Sequence, residues 1–131
     1  MIYKPELSNI GVPIPDSCTV HSHVWIGDKV SIGESCKIQA FAFIPNGVTI
    51  EDNVFIGPHV CFTNDPKMDI VPTGEFTPTH TLVKNGARIG ANACIRAGVT
   101  IGEGAIIGMG AVVLHDVGDH ETWVGNPAKR K

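Results

Sequence analysis

The stretch Ile26-Gly27-Asp28-Lys29-Val30-Ser31-Ile32-Gly33-Glu34-Ser35-Cys36-Lys37-Ile38 returns to the same chemistry every six residues. Isoleucine recurs at 26, 32 and 38, and a small or β-branched residue follows four positions later, at Val30 and Cys36. Working outward in steps of six, the aliphatic series reads Ile14, Val20, Ile26, Ile32, Ile38, Ile44, Ile50, Ile56 and then Phe62. Its companion series reads Cys18, Val24, Val30, Cys36, Ala42, Val48, Val54 and Val60. The pattern stops after Phe62 and resumes out of phase at Val83, with Ile89, Ile95, Ile101, Ile107 and Val113. Ala87, Ala93, Val99, Ala105, Ala111 and Val117 accompany this second run.

A period of six fits neither the 3.6 of a helix nor the alternation of a hairpin. It fits a prism whose three flat sides each take one hexad, so that one coil takes three. The aliphatic residue then points inward and the small residue sits where the chain turns. Stacked coils pair their strands in parallel and fill the core with columns of like side chains. Glycine follows the aliphatic residue at Gly27, Gly33, Gly57, Gly90, Gly102 and Gly108, and we expect Gly and Asn to supply the backbone freedom of the corners. The expected organisation is one all-β domain, with coils over 14–62 and 83–118, a loop over 63–82 and a tail over 119–131.

The bulk numbers agree with one domain. The chain has 131 residues, 43% of them hydrophobic, and a net charge of −3. Lys and Arg cluster only at Lys129-Arg130-Lys131, so the basic footprint of a nucleic-acid binder is missing. No apolar run approaches the roughly 20 residues that span a bilayer, and Met1-Ile2-Tyr3-Lys4-Pro5-Glu6 lacks the apolar core of a signal peptide. We expect a cytoplasmic protein without nucleic-acid or membrane partners. Cys18, Cys36, Cys61 and Cys94 form no C-x-x-C pair, and the register turns the first two inward. They read as reduced, small apolar residues.

Between Phe62 and Val83 lie three prolines and a glycine, at Pro66, Pro72, Pro78 and Gly74. We expect these residues to end the strand pattern, since proline cannot donate to a ladder, and a long loop on a rigid scaffold is a place for chemistry. The repeat resembles the hexapeptide-repeat acyltransferase superfamily. That resemblance implies a single-stranded left-handed parallel β-helix, a homotrimer, and active sites between neighbouring prisms. The run Gly57-Pro58-His59-Val60-Cys61-Phe62-Thr63-Asn64-Asp65 with its proline-bearing loop is more specific. Together with Lys37-Ile38-Gln39 and Asn85-Gly86-Ala87-Arg88-Ile89-Gly90, it is similar to N-acetyltransferases of UDP- or dTDP-linked 3-amino sugars.

That resemblance implies roles. Acetyl transfer needs a neutral amine held against the thioester carbonyl, and a destination for the proton. Asn64 and Glu34 match the positions that hold the amine, and the thiolate of coenzyme A is thought to take the proton. The two are five hexads apart and fall on different sides of the prism. Asp65 is a candidate for sugar hydroxyls or for organising the loop. His59 and His80, flanking the loop in sequence, are substrate-binding candidates and would become general bases in a sugar or small-alcohol O-acetyltransferase. Acetyl-CoA is the implied co-substrate, with Ala91 and Met109 at its pantetheine and Lys129 near its phosphates. No metal is expected: His115 and His120 have the spacing of a zinc site but lie past the regular coils. A non-catalytic β-helix scaffold is the remaining alternative.

Overall fold

The computed structural model describes every residue except Thr73, which lies in the loop. Almost all of its regular structure is strand, in three sheets that form the sides of a prism. The first side has six strands: Asn9–Ile10, Trp25–Ile26, Phe43–Ile44, Cys61–Phe62, Cys94–Ile95 and Val112–Val113. The second has four: Ser31–Ile32, Val48–Ile50, Thr81–Val83 and Thr100–Ile101. The third has seven, from Thr19–Val20 through Lys37–Ile38, Phe55–Ile56, Arg88–Ile89, Ile106–Ile107 and Thr122–Val124 to Lys129–Arg130. Every pairing is parallel except the last, where Lys129–Arg130 runs back along Thr122–Val124. The chain is a left-handed parallel β-helix, as the repeat and its resemblance led us to expect.

Register follows the hexads. Trp25 pairs with Phe43 and Phe43 with Cys61, eighteen residues per coil. Cys61 pairs with Cys94, thirty-three residues on, so the interruption adds fifteen residues without disturbing the stack. The aliphatic columns are the core: Ile26, Ile38, Ile44, Ile56, Ile89 and Ile101 have no exposed surface, and Phe62 is the largest buried side chain. Thr81 is the buried polar exception among the described residues, and its hydroxyl oxygen accepts the Gly98 N–H at 3.1 Å.

Three expectations need correction. The coils begin before residue 14, because Asn9–Ile10 already pairs with Trp25–Ile26 and Ile2 bridges to Val20. The tail over 119–131 is not free either: Thr122–Val124 extends the third side, Trp123 packs on the core and Ala128 is buried. An apolar prism end has to be covered, and this hairpin does so.

The glycines that follow the aliphatic residues are not there for conformational freedom. A Cβ at Gly90 would stand 2.6 Å from the Met109 nitrogen, and one at Gly102 would stand 2.5 Å from the Asp119 nitrogen. At these positions glycine is required because the next coil's backbone passes too close for a side chain. The left-handed conformation falls elsewhere in the turns, at His23, Phe41, His59 and Asn92 (φ 59–66°). An L-residue there costs about 1–2 kcal/mol. His23, Phe41 and His59 offset part of it by stacking, with ring centroids 4.8 and 4.9 Å apart.

Candidate functional site

Thr63 leaves the first side at its corner with the second and anchors the start of the loop. Its hydroxyl donates to Ile95 O at 3.0 Å and accepts from Ala97 N at 2.9 Å. The next residue is Asn64, whose side-chain Nδ2 donates to the Asn46 carbonyl at 2.9 Å. Its own carbonyl receives Thr79 N at 2.9 Å, which closes the far end of the loop on the near end. Only the NH₂ of an amide can donate to a carbonyl, so this bond fixes which way the Asn64 amide faces. Its Oδ1 has no protein donor among the described residues.

Asn46 is itself held. Its Oδ1 accepts Lys29 N at 2.9 Å and its Nδ2 donates to Asp28 Oδ1 at 3.1 Å. Asp28, Asn46 and Asn64 therefore form one hydrogen-bonded column, one residue per coil. Asp65 organises the loop: Oδ1 accepts the N–H groups of Lys67 and Met68, and Oδ2 that of Asp69, each at 3.0 Å. Asp28, Asn46, Asn64, Asp65 and Asp69 line a groove of about 580 Å³ beneath the loop, together with Lys29 and Phe76. Beside it lies a second depression of about 250 Å³ walled by Trp25, Phe43, Pro45 and Pro78. Lys29, Asn46, Asn64 and Phe76 line both.

The other sequence candidates are distributed around the prism. His80 shares this corner, with Nδ1 3.3 Å from Gly47 O. Glu34 stands at the corner between the second and third sides, where it accepts the Ser17 hydroxyl and its N–H donates to Asp52 Oδ1. It is stacked among exposed polar neighbours and lines neither depression. His59 stands at the corner between the third and first sides, stacked on Phe41, with the strand Cys61–Phe62 between it and Asn64. Ala91 and Met109 occupy that same corner on successive coils, tied by the bond from Gly110 N to Ala91 O at 2.8 Å. Lys129 pairs with Val124, whose side chain packs over Gly108. One edge thus carries Ala91, Met109 and Lys129, and a different edge carries Asn64.

Sequence reasoning missed Asp28, Lys29, Asn46, Trp25, Phe43 and Phe76. A step of eighteen, not six, reaches most of them: Asn64 leads back to Asn46 and Asp28, and Phe43 leads back to Trp25. Among the described residues, no three His, Cys, Asp or Glu side chains come together to hold a metal ion.

The sequence model of the bacterial transferase hexapeptide (six repeats) family matches residues 29–64 and 80–115, more than half of the chain between them. The chain belongs to this family. The two matched segments end and restart on either side of the loop, so the family's repeat is the coil and the groove lies at its interruption. Comparison with curated proteins finds no match. Among solved structures, a histidine variant of perosamine N-acetyltransferase from Caulobacter crescentus, in complex with CoA and GDP-perosamine, is 25% identical with a TM-score of 0.75. The match covers 99% of this chain and 52% of that one. The acetyltransferase domain of PglB from Neisseria gonorrhoeae, in complex with acetyl coenzyme A, is 23% identical with a TM-score of 0.74, over 99% of this chain and 54% of that one. Soybean serine acetyltransferase is 33% identical with a TM-score of 0.67, over 79% of this chain and 40% of that one. The chain spans about half the length of the first two of these structures.

Proposed function

We propose that the protein is an acetyl-CoA-dependent N-acetyltransferase whose acceptor is the amine of a nucleotide-linked sugar. The observation that carries this reading is the Asn64 amide, fixed by the Asn46 carbonyl in a groove edged with carboxylates. An acceptor oxygen held in one orientation can take an N–H of a neutral amine and point its lone pair at a thioester carbon. The amine nitrogen forms the C–N bond, the carbon–sulfur bond breaks, and the departing thiolate takes the amine proton. No separate base is required. The resemblance to structures that contain CoA or acetyl coenzyme A with an amino sugar or an acetyltransferase domain supports the same chemistry.

Acetyl-CoA would lie along the edge of Ala91, Met109 and Lys129. That edge and the Asn64 groove are at different corners of one prism, which supports a homotrimer in which one copy's edge faces its neighbour's groove. Glu34 would then act, if it holds the amine, from a corner away from its own chain's Asn64. We place the reaction in the cytoplasm. O-Acetyl transfer is the second reading, and the position of His59 on the Ala91 edge favours it as the base in that case.

The test is acetyl-CoA-dependent thiol release over UDP-, dTDP- and GDP-linked amino sugars. Turnover on at least one is expected, with Asn64→Ala lowering kcat by about 10²-fold while the oligomeric mass stays unchanged. Unchanged turnover in Asn64→Ala, or no acceptor at all, overturns the proposal. Loss of rate in His59→Ala on an alcohol acceptor, with amines inert, moves the assignment to O-acetyl transfer.

A further inference from the structure

One column of the core changes chemistry at a single residue. Thr81 pairs with Val48, and the column continues on neighbouring coils through Val30 and Val99, each one position before the paired strands Ser31–Ile32 and Thr100–Ile101. All four side chains are buried. Threonine differs from valine only by a hydroxyl in place of a methyl, so a fourth valine would fill the same space. A buried hydroxyl is tolerated where it has a partner. Here the partner is the Gly98 N–H, which donates to Thr81 Oγ1 at 3.1 Å. Thr81 is also the residue at which the chain rejoins the stack after the loop.

That bond replaces one the loop has removed. At most other corners the residue with positive φ donates its N–H back to a carbonyl of the preceding coil. Gly47 donates to Lys29 O at 3.1 Å, His59 to Ala40 O at 3.1 Å, Asn92 to Pro58 O at 3.0 Å and Gly104 to Asn85 O at 2.9 Å. Gly98 holds the same kind of place in its coil, with φ +89°. On the preceding coil, however, this corner is where the chain leaves at Thr63 and returns at Thr79, and the Thr81 hydroxyl takes the part of the missing carbonyl. What it seats is the returning leg of the loop. Pro78 lies against Gly47 and Thr79 against Gly98, where added Cβ atoms would stand 3.0 and 3.4 Å from them. Thr81 N donates to Gly47 O at 3.1 Å, and Thr79 N donates to Asn64 O at 2.9 Å. We infer that Thr81 is a positioning residue for Asn64. Its hydroxyl pins the leg to the coil of Gly98, so that the Thr79 N–H meets the Asn64 carbonyl while the Asn46 carbonyl holds the Asn64 side chain. This role rests on Asn64 being the group that orients the amine.

Turnover, a double-variant cycle and amide exchange test it. Thr81→Val keeps the shape of the column and removes the hydroxyl, whereas Thr81→Ser keeps the hydroxyl. With the amino sugar that the parent chain acetylates, well below the unfolding temperature, Thr81→Val should lower kcat about tenfold or more. KM for acetyl-CoA should stay unchanged, because the Ala91 edge lies at another corner, and Thr81→Ser should recover most of the rate. In an Asn64→Ala chain, Thr81→Val should cost no more than about twofold further, since two residues acting through one group are not additive. Parental turnover in Thr81→Val, or its full effect in the Asn64→Ala chain, overturns the role. Amide exchange reports the same seating without turnover. Thr81→Val should speed exchange about tenfold at both Gly98 and Thr79 and leave Gly90 as in the parent. Faster exchange at Gly98 alone overturns the role, because the hydroxyl would then serve only its own corner. A chain that acetylates no amino sugar, yet loosens at Thr79 in Thr81→Val, keeps the seating of Asn64 and removes the acetyltransferase. Acetylation with parental kcat in Thr81→Val does the reverse.

Discussion

Replacing Gly90 by alanine adds one methyl group at a place where the chain has no room for it. Its Cβ would lie 2.6 Å from Met109 N, 3.0 Å from Gly108 C and 3.0 Å from Ile107 O. All three are backbone atoms of the next coil, so no side chain can rotate away. Relief needs the coils to part by about 0.5 Å. The bonds that hold them bracket the site: Gly90 N to Ile107 O and Gly110 N to Ala91 O, both 2.8 Å. Overpacking costs about 1–3 kcal/mol, and each weakened hydrogen bond costs up to about 0.5–1.5 kcal/mol. Alanine opposes this by stiffening the unfolded chain, worth about 0.4–1 kcal/mol. The steric terms win, and the net loss should be about 2–4 kcal/mol. Gly110→Ala is the control: nothing lies within 4 Å of its Cβ, but φ is +71°, so only the left-handed penalty of about 1–2 kcal/mol applies. Urea unfolding followed by circular dichroism measures both. A Gly90→Ala chain within 0.5 kcal/mol of the parent, or less affected than Gly110→Ala, would refute the close-approach reasoning.

Phe62→Ala empties the widest position of the core, on the strand that launches the loop, and should cost about 3–5 kcal/mol in the same assay. Asn46→Ala removes the bonds to Asp28 and Lys29 N that position the backbone carbonyl holding Asn64. It should lower kcat more than it raises KM, and Asn46→Asp, which keeps the acceptor for Lys29 N, should recover part of the rate. Burial pushes the Cys36 thiol up to about 11 from its ordinary 9.0. The folded chain therefore binds more protons than the unfolded chain between these values, and stability should fall as pH rises above about 9. A flat urea midpoint from pH 8 to 10.5 in the wild type, or the same slope in Cys36→Ala, would contradict this. Thiol titration at pH 8 should find exposed Cys94 first and leave Cys18 and Cys36 unreacted until urea is added.

The loop and the coils differ in how much of them can be read from one dimension. Ile26, Ile44 and Ile95 had to face inward because a six-residue period leaves each of them one available side, and burial of a methyl-rich column is non-directional. The same reading misjudged Gly90 and Gly102, since a missing Cβ looks alike in sequence whether it frees a dihedral or admits a neighbouring backbone. It also placed the start of the coil at Ile14, because Ser8 breaks the aliphatic series one step earlier and Ile10 lies outside the six-step register.

What the sequence determined alone was the β-helix, its interruption and its family, because hexad spacing and side-chain size are local properties repeated often enough to leave one architecture. What only the tertiary structure decided was which residues surround Asn64. Asp28 and Asn46 reach it through coils eighteen residues apart, Phe76 reaches the same groove across the loop, and Glu34 and His59 are carried to other corners. Those meetings depend on where the fifteen added residues return to the stack, and hydrogen bonds from Thr63, Asn64 and Thr79 to distant backbone fix that return.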